Sequence, residues 1–312
     1  MMEKKKIILD CDPGHDDAIA IMLAAKNEMI DLLGISVVAG NQTIEKTVRN
    51  ALNVCQYLSL DVPVYQGCGQ PMIRNKPKVA GDIHGETGLD GPTFAPLTKK
   101  KEEKHGVQFI IDTLLASDGD ITMVTTGPMT DLAMAMRLCP DIIPKIKEIV
   151  LMGGCYQLGN VTPAAEFNVI TDADAAHVVF TSGRKIVMAG LDVTRKVLCY
   201  PEIIERMGKH KNPAGQLFVD LMTFFSKTQK EVYGWEGGPL HDPVTIAYLI
   251  DPTVLTLKEM YTEIDIRSTQ SYGRTNCDFF HYSDNKPNSF VAIDIDTEKF
   301  WNIVEKGIEA YN

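Results

Sequence analysis

The feature that most constrains the fold is a regular alternation of short apolar runs with helical patterns over the N-terminal two-thirds of the chain. The apolar runs are almost continuous, which is typical of parallel strands covered by helices on both faces. This alternation predicts an α/β fold with an open, mostly parallel, doubly wound sheet. The predicted strands cover residues 6–10, 32–38, 121–125, 148–152 and 185–189.

Helical patterns separate and follow these strands, at residues 17–26, 44–58, 107–115, 130–138 and 173–182. The C-terminal third predicts further helices at 215–231, 241–250 and 296–311, and strands at 260–266 and 290–295. Residues 67–101 are rich in Gly, Pro and charge, and they predict a long irregular loop, which in a compact domain is often functional. Because no repeat or linker interrupts the chain, we expect a single domain over residues 1–312.

Composition and charge exclude several classes of partner. The chain has 31 basic and 41 acidic residues and a net charge of −10, which repels phosphate backbones and anionic lipid. We therefore expect no nucleic-acid polymer and no membrane surface as a partner. The apolar run near the N-terminus is too short for a signal peptide. The seven cysteines form no CxxC pair, so we expect reduced thiols and a cytoplasmic location.

The most specific chemical feature is a segment with four aspartates in eight residues, at the end of the first predicted strand. These aspartates are Asp10, Asp12, Asp16 and Asp17. A helix cap or a solvated acidic turn explains one or two of them. Four would repel one another unless a cation held them, and carboxylate oxygens suit calcium or magnesium. The segment lacks the His and Cys ligands typical of zinc, and its spacing does not fit an EF-hand.

Other predicted strands also end in polar or glycine clusters, which contain Asn41, Thr126, Gly153 and Asp192. Each cluster alone suits an ordinary turn. Ligands of an open parallel sheet bind beyond the carboxyl ends of its strands, so together these clusters predict one shared crevice.

Three further segments offer polar or aromatic groups for a ligand. Asn160, Glu166 and Asn168 have the donors and acceptors that a sugar diol requires, although such residues usually lie in surface turns. His241 and Asp242 lie at the start of a helical pattern, where a capping role is the ordinary explanation. The side chains that could contact a planar ligand are those of Gln229, Tyr233 and Trp235.

These motifs, in this order, resemble those of the inosine-uridine nucleoside hydrolase family, and most closely its bacterial pyrimidine-preferring members. The resemblance covers essentially the whole chain and depends on residues 10–17, 40–43, 84–88, 152–154, 166–168 and 241–243. It implies the nucleoside hydrolase fold with a Rossmann-like core. It also implies calcium-dependent hydrolysis of the N-glycosidic bond of ribonucleosides to ribose and free base, with inversion, by a homotetramer that acts in nucleoside salvage. A preference for uridine and cytidine is expected, with a broad or purine (inosine) preference as the alternative.

The resemblance further implies a role for each site residue. The implied calcium ligands are Asp12, Asp17, Asp242 and the backbone carbonyl of Thr126, with Asp10 supporting the site. Asp12 is also the implied general base for the bound water. The implied ribose-binding groups are Asp16, Asn41, Asn160, Glu166, Asn168 and the Met152 backbone. The implied base-side residues are His84, Phe167, Gln229, Tyr233 and His241. Which of His84, Tyr233 and His241 protonates the leaving base stays open.

Two other classes of protein fit the acidic cluster. A haloacid-dehalogenase-like phosphotransferase also has a strand-end Asp-x-Asp and a divalent cation, but it has Thr or Val where this chain has Pro13. A non-catalytic nucleoside-binding protein would bind a nucleoside with calcium and release no free base.

Overall fold

A mostly parallel sheet of eight strands organises the computed structural model, which describes residues 4–74 and 79–312. The strands within those ranges are β1 (Lys5–Cys11), β2 (Ile30–Val37), β3 (Val64–Gln66), β4 (Ile121–Thr125), β5 (Ile146–Met152), β6 (Ile186–Ala189), β7 (Leu198–Cys199), β8 (Gly238–Pro239), β9 (Leu255–Met260), β10 (Thr262–Ile264), β11 (Thr275–Cys277) and β12 (Ser289–Ile295). The helices are α1 (His15–Lys26), α2 (Ile44–Tyr57), α3 (Gly81–His84), α4 (Gly106–Leu115), α5 (Thr130–Leu138), α6 (Phe167–Thr171), α7 (Ala173–Phe180), α8 (Leu191–Thr194), α9 (Pro201–Gly208), α10 (Pro213–Tyr233), α11 (Pro243–Ile250) and α12 (Thr297–Glu309).

The order of the strands places a ligand crevice near the middle of the sheet. The sheet runs β3-β2-β1-β4-β5-β6-β12-β9, and every neighbouring pair is parallel except β12 with β9. The α/β, mostly parallel, doubly wound fold predicted from the sequence is therefore confirmed. The direction of winding reverses between β1 and β4, and ligands of such sheets bind beyond the strand ends at this reversal.

Burial on both faces of the sheet explains why the strands read as continuous apolar runs. In β1, Ile7 and Leu9 pack into one hydrophobic cluster while Ile8 packs into the cluster on the opposite face. All three side chains are fully buried, and each such side chain contributes about 2 kcal/mol to folding. Within the described ranges, no helix is both long enough and apolar enough to cross a membrane.

Several predicted boundaries are wrong, and each error has a local cause. The strand predicted at 260–266 is divided: β9 ends at Met260 and forms the antiparallel edge of the main sheet, whereas β10 pairs with β11 in a separate small sheet. Edge strand β9 carries exposed polar residues such as Glu259, so it lacks the apolar signal of a buried strand. Strand β3 was not predicted because it is only three residues long.

The helix boundaries also move. Helix α1 begins at His15 rather than at 17, and α11 begins at Pro243 rather than at 241. The segment 67–101 is irregular apart from α3, over the part of it that is described; residues 75–78 lie outside that part. The expectation of a single domain over residues 1–312 stays a prediction.

Candidate active site

A cavity of about 200 Å³ lies beyond the carboxyl ends of β1, β4 and β5. Most of the residues that the sequence singled out line it. They are Asp16, Asn41, His84, Thr126, Met152, Asn160, Glu166, Phe167, Asn168, Gln229, Tyr233, Trp235, His241 and Asp242. Asp10, Asp12 and Asp17 are fully buried and are not part of the cavity wall.

The turn from β1 into α1 positions the acidic cluster. Gly14 is the N-cap of α1, and its backbone N–H donates to Asp17 Oδ2 at 3.1 Å. Asp16 and Asp17 lie in the first helical turn, where the positive end of the helix dipole favours a carboxylate. Backbone N–H groups at the start of the helix therefore account for one oxygen of Asp17 and contribute to the environment of Asp16, but they do not involve Asp10 or Asp12.

Two glycines confine the carboxylate of Asp12. Its Oδ2 accepts a hydrogen bond of 2.6 Å from the backbone N–H of Asn41, whereas Oδ1 has no partner among the described residues. A Cβ atom added at Gly40 would lie 2.1 Å from Oδ2, and one added at Gly127 would lie 2.6 Å from Oδ1. Only glycine permits this close approach. Asp12 is thus fixed by one oxygen, and its other oxygen is available to a ligand.

Carboxylates from two distant parts of the chain converge at the same place. Asp16, Asp17 and Asp242 each offer an oxygen, and these oxygens all lie within 4.8 Å of one another. Thr126 Oγ1 donates to Asp17 Oδ1 at 2.7 Å. Ligand oxygens lie about 2.3–2.6 Å from calcium, so oxygens at this mutual spacing fit around one such ion. This group of three converging carboxylates contains Asp16, which the resemblance assigns to ribose, and does not contain Asp12. The role of Asp12 as a calcium ligand stays a prediction.

The electrostatics of these aspartates agree with a cation site. Burial raises the pKa of Asp16 to about 6, and burial together with the charge of Asp16 raises the pKa of Asp17 to about 7. Burial and neighbouring carboxylates hold the pKa values of Asp12 and Asp242 well above their usual range. These groups resist ionisation unless a positive charge joins them. The donor set therefore fits a hard divalent cation such as calcium.

Asp10 lies beside a buried carboxylate that the sequence did not indicate. Neither oxygen of Asp10 has a hydrogen-bond partner in the described part of the chain, and burial followed by the charge of Asp131 raises its pKa. Asp131 itself accepts from Ser36 Oγ at 2.7 Å and from the Cys68 backbone N–H at 2.6 Å. The supporting role of Asp10 at the metal site stays a prediction.

One amide and one carboxylate organise the wall formed after β4 and β5. Asn168 Nδ2 donates to the carbonyl oxygens of Thr126 at 2.7 Å and Met152 at 3.1 Å. Glu166 caps α6, accepting from the backbone N–H groups of Asn168 and Gly154, both at 2.8 Å. Burial raises the pKa of Glu166 to about 7. These contacts fix the backbone carbonyls to which the resemblance assigns calcium and ribose.

The loop before α6 is held by hydrogen bonds of its own. Asn160 Oδ1 accepts from the Phe167 backbone N–H at 3.0 Å. Arg195, which also lines the cavity, donates to the carbonyl oxygens of Leu158 at 2.8 Å and Gly159 at 2.7 Å. No motif marks Arg195 in the sequence, so it was not predicted.

Helix α10 presents one face to the cavity. Phe225, Gln229 and Tyr233 are four residues apart, so their side chains point in one direction. Gln229 Oε1 is buried and has no hydrogen-bond partner in the described residues. Gly234 ends the helix in the left-handed conformation, with φ of 74°. The Tyr233 and Trp235 rings stack across it with centroids 5.1 Å apart.

Histidines approach the cavity from two sides. His84 Nδ1 lies 3.0 Å from Nδ1 of His15, whose Nε2 lies 2.7 Å from the carbonyl oxygen of Asp90. The His15 ring also stacks on Phe225, with centroids 5.3 Å apart. His15 was not predicted, although it lies inside the acidic segment. Burial lowers the pKa of His15 to about 4 and that of His84 well below its usual range.

On the other side of the cavity, His241 contacts a residue that the sequence did not indicate. Its Nδ1 lies 2.7 Å from Thr194 Oγ1 at the end of α8. Burial, then the charge of Arg195, lowers the pKa of His241 to about 3. Asp192, expected in the crevice, accepts instead from the Tyr156 backbone N–H at 2.7 Å, and Leu191 lines the cavity. The short helix α8 turns Asp192 away from the wall.

The profile of the inosine-uridine preferring nucleoside hydrolase family matches residues 7–302. The chain belongs to this family. It is therefore a ribonucleoside hydrolase, an enzyme that hydrolyses N-glycosidic bonds, as the sequence resemblance predicted. The match over nearly the whole chain sets aside the phosphotransferase and the non-catalytic binding protein.

Named relatives of this nucleoside hydrolase differ in the substrates that their names state. It is 57% identical over 310 residues to the pyrimidine-specific ribonucleoside hydrolase RihB of Escherichia coli (strain K12 / DH10B), covering 99% of both chains. Among solved structures, it resembles a purine-preferring ribonucleoside hydrolase from Gardnerella vaginalis, with a TM-score of 0.91, 34% identity and coverage of 97% and 98%. A plant nucleoside hydrolase, PpNRh1, matches with a TM-score of 0.91, 28% identity and coverage of 98% and 99%.

Proposed function

We propose that the enzyme is calcium-dependent and prefers pyrimidine ribonucleosides, uridine and cytidine. The observation that carries the proposal is the convergence of the buried Asp16, Asp17 and Asp242 carboxylates. The charges of Asp17 and Asp16 act on Asp12, which has one oxygen without a partner among the described residues. Two relatives support the pyrimidine preference. The relative that is named pyrimidine-specific is 57% identical to this chain, whereas the one that is named purine-preferring is 34% identical.

Calcium would be held by Asp12, Asp17, Asp242 and the carbonyl oxygen of Thr126. When bound, calcium supplies positive charge and a template that orients water and sugar hydroxyls together. The Thr126 carbonyl already accepts from Asn168, and a carbonyl oxygen has a second lone pair for a metal ion.

In this proposal Asp12 is the general base. Its Oδ2 is occupied by the Asn41 N–H, so Oδ1 accepts the proton of the attacking water. Asp12 acts as a base in its ionised form, which a neighbouring cation would favour. The water attacks the anomeric carbon on the face opposite the base, which gives inversion.

The ribose is held by Asp16, Asn41, Asn160, Glu166, Asn168 and the Met152 backbone. Holding the sugar in one orientation matters because the C–N bond must point away from Asp12 as positive character develops on the sugar ring. The Glu166 and Asn168 side chains are fixed by backbone hydrogen bonds, so they lose little freedom when the sugar binds.

The nucleobase would lie among His84, Phe167, Gln229, Tyr233 and His241. The unpartnered Oε1 of Gln229 needs a donor, and the imide N–H of uracil or the amino group of cytosine can supply one. Burial and Asp82 raise the pKa of Tyr233, so its phenol keeps its proton at neutral pH. Tyr233 can therefore donate to a departing pyrimidine.

A nucleoside panel tests the proposal. We expect ribose release from uridine and cytidine with a higher kcat/KM than from inosine, loss of this activity in a chelator, and its recovery when calcium is added. Absence of ribose release from every nucleoside would refute the function. Activity that survives the chelator would refute the calcium requirement, and faster hydrolysis of inosine would refute only the preference.

We further propose a homotetramer located in the cytoplasm. All seven cysteines are free thiols, which a reducing compartment favours. Light scattering that gives four times the mass of the chain would support the tetramer, and any other mass would contradict it.

A further inference from the structure

The contact between Thr194 and His241 indicates which ring nitrogen of His241 carries the proton. Thr194 is fully buried, and its Oγ1 lies 2.7 Å from His241 Nδ1. In the part of the chain that the structure describes, this is the only hydrogen bond of the Thr194 hydroxyl. The Gly190 carbonyl, one turn earlier, accepts from the Thr194 backbone N–H instead.

The direction of this hydrogen bond follows from the burial of the hydroxyl. If Thr194 only accepted a proton from Nδ1, its own hydroxyl proton would be buried without an acceptor, which is costly. Since the described residues give the hydroxyl no second hydrogen-bond partner, Thr194 donates and His241 Nδ1 accepts. A ring with a proton on Nδ1, whether neutral or charged, does not satisfy this arrangement.

We propose that Thr194 is a positioning residue that holds His241 as the neutral tautomer with its proton on Nε2, so that the ring donates from Nε2 to the bound nucleoside. His241 lines the cavity, and within the described residues its Nε2 has no protein partner. This inference rests on the proposed function, because a nucleoside in the cavity supplies the acceptor.

The acceptor is a carbonyl oxygen or ring nitrogen of the nucleobase. As the C–N bond breaks, its electron pair moves into the base, and the hydrogen bond from Nε2–H strengthens. His241 transfers no proton in this step. It stabilises the charge on the leaving base, which Tyr233 or water then protonates.

Nuclear magnetic resonance of the wild-type protein tests the tautomer without any measurement of activity. The protein is labelled with ¹⁵N-histidine, calcium is supplied, and the His241 signals are identified by their absence in His241→Gln. We expect a protonated Nε2 and an unprotonated Nδ1 at neutral pH. A proton on Nδ1, alone or with one on Nε2, overturns the proposal.

Variants of Thr194 test the consequence for the reaction. For Thr194→Val we expect the kcat for uridine to fall about tenfold while KM changes by less than about threefold, since the hydrogen bond strengthens only as the base leaves. Thr194→Ser keeps the hydroxyl and should restore kcat. Thr171→Val is the matched control, because the Thr171 hydroxyl is buried and has no partner among the described residues.

The outcomes separate the two proposals. An unchanged kcat in Thr194→Val, or an equal loss in Thr194→Ser, overturns the positioning role, provided that thermal unfolding shows folded protein. A wild-type enzyme that hydrolyses no nucleoside refutes the proposed function, while the resonance experiment still decides the tautomer.

Discussion

Calcium affinity should depend steeply on pH, because the cation must displace protons from the acidic cluster. Without a cation, burial gives Asp16 a pKa of about 6 and Asp17 a pKa of about 7. At pH 6 both groups carry protons for much of the time, and at pH 8 both are ionised. A bound cation requires the ionised form, so binding strengthens as the pH rises.

The two pKa values set the size of the effect. Asp16 and Asp17 alone, treated as independent groups, make the dissociation constant about 20-fold lower at pH 8 than at pH 6, or about 2 kcal/mol. The protons that Asp12 and Asp242 lose on binding make the dependence on pH steeper still. The buried histidines His15 and His241 do not add to the pH dependence of calcium binding. Their pKa values lie below pH 6, so both rings are neutral throughout the range from pH 6 to pH 8.

Isothermal titration calorimetry with calcium at pH 6, 7 and 8 measures the effect, and buffers of different ionisation enthalpy count the released protons. The control is Asp112→Asn, which removes one exposed carboxylate far from the cavity and should leave the affinity and its pH dependence unchanged. A dissociation constant that is constant from pH 6 to 8, or higher at pH 8, would refute the cation site.

Three further variants test the geometry of the cavity. Gly40→Ala places a Cβ atom 2.1 Å from Asp12 Oδ2, so kcat for uridine should fall at least about tenfold, whereas Gly69→Ala, with its nearest atom at 3.1 Å, should have near-normal kinetics. Asn168→Ala removes the hydrogen bonds to the Thr126 and Met152 carbonyls, so kcat should fall and KM should rise, lowering kcat/KM by about 100-fold; unaltered steady-state kinetics would contradict the ribose assignment. In Tyr233→Phe, kcat for uridine should fall more than kcat for inosine, and equal losses would remove the proton-donating role of Tyr233.

The sequence predicted the parts of the fold and the site that depend on neighbours along the chain. The central strands were found because both of their faces are buried, which makes the apolar run continuous. The edge strands β3 and β9 were missed or misplaced because one is short and the other is half exposed. The four aspartates after β1 were visible as a cluster, and their separate roles came from the family resemblance.

The missed residues are those whose importance depends on contacts between distant segments. Asp131 matters because folding brings it beside Asp10, and His15 because its ring meets His84. Thr194 and Arg195 lie in and just after a four-residue helix with no motif of its own. Nothing in the local sequence distinguishes such residues from ordinary helix and turn positions.

The most direct test of the account is the hydrolysis of uridine by Asp12→Asn in the presence of calcium. We expect the wild-type enzyme to release uracil and ribose, and the variant to do so with a kcat about 10³-fold lower, because the general base is lost while the isosteric side chain keeps its contact with the Asn41 N–H. Asp112→Asn serves again as the control for the lost charge. Turnover of uridine by Asp12→Asn at a rate near that of the wild type would contradict the account.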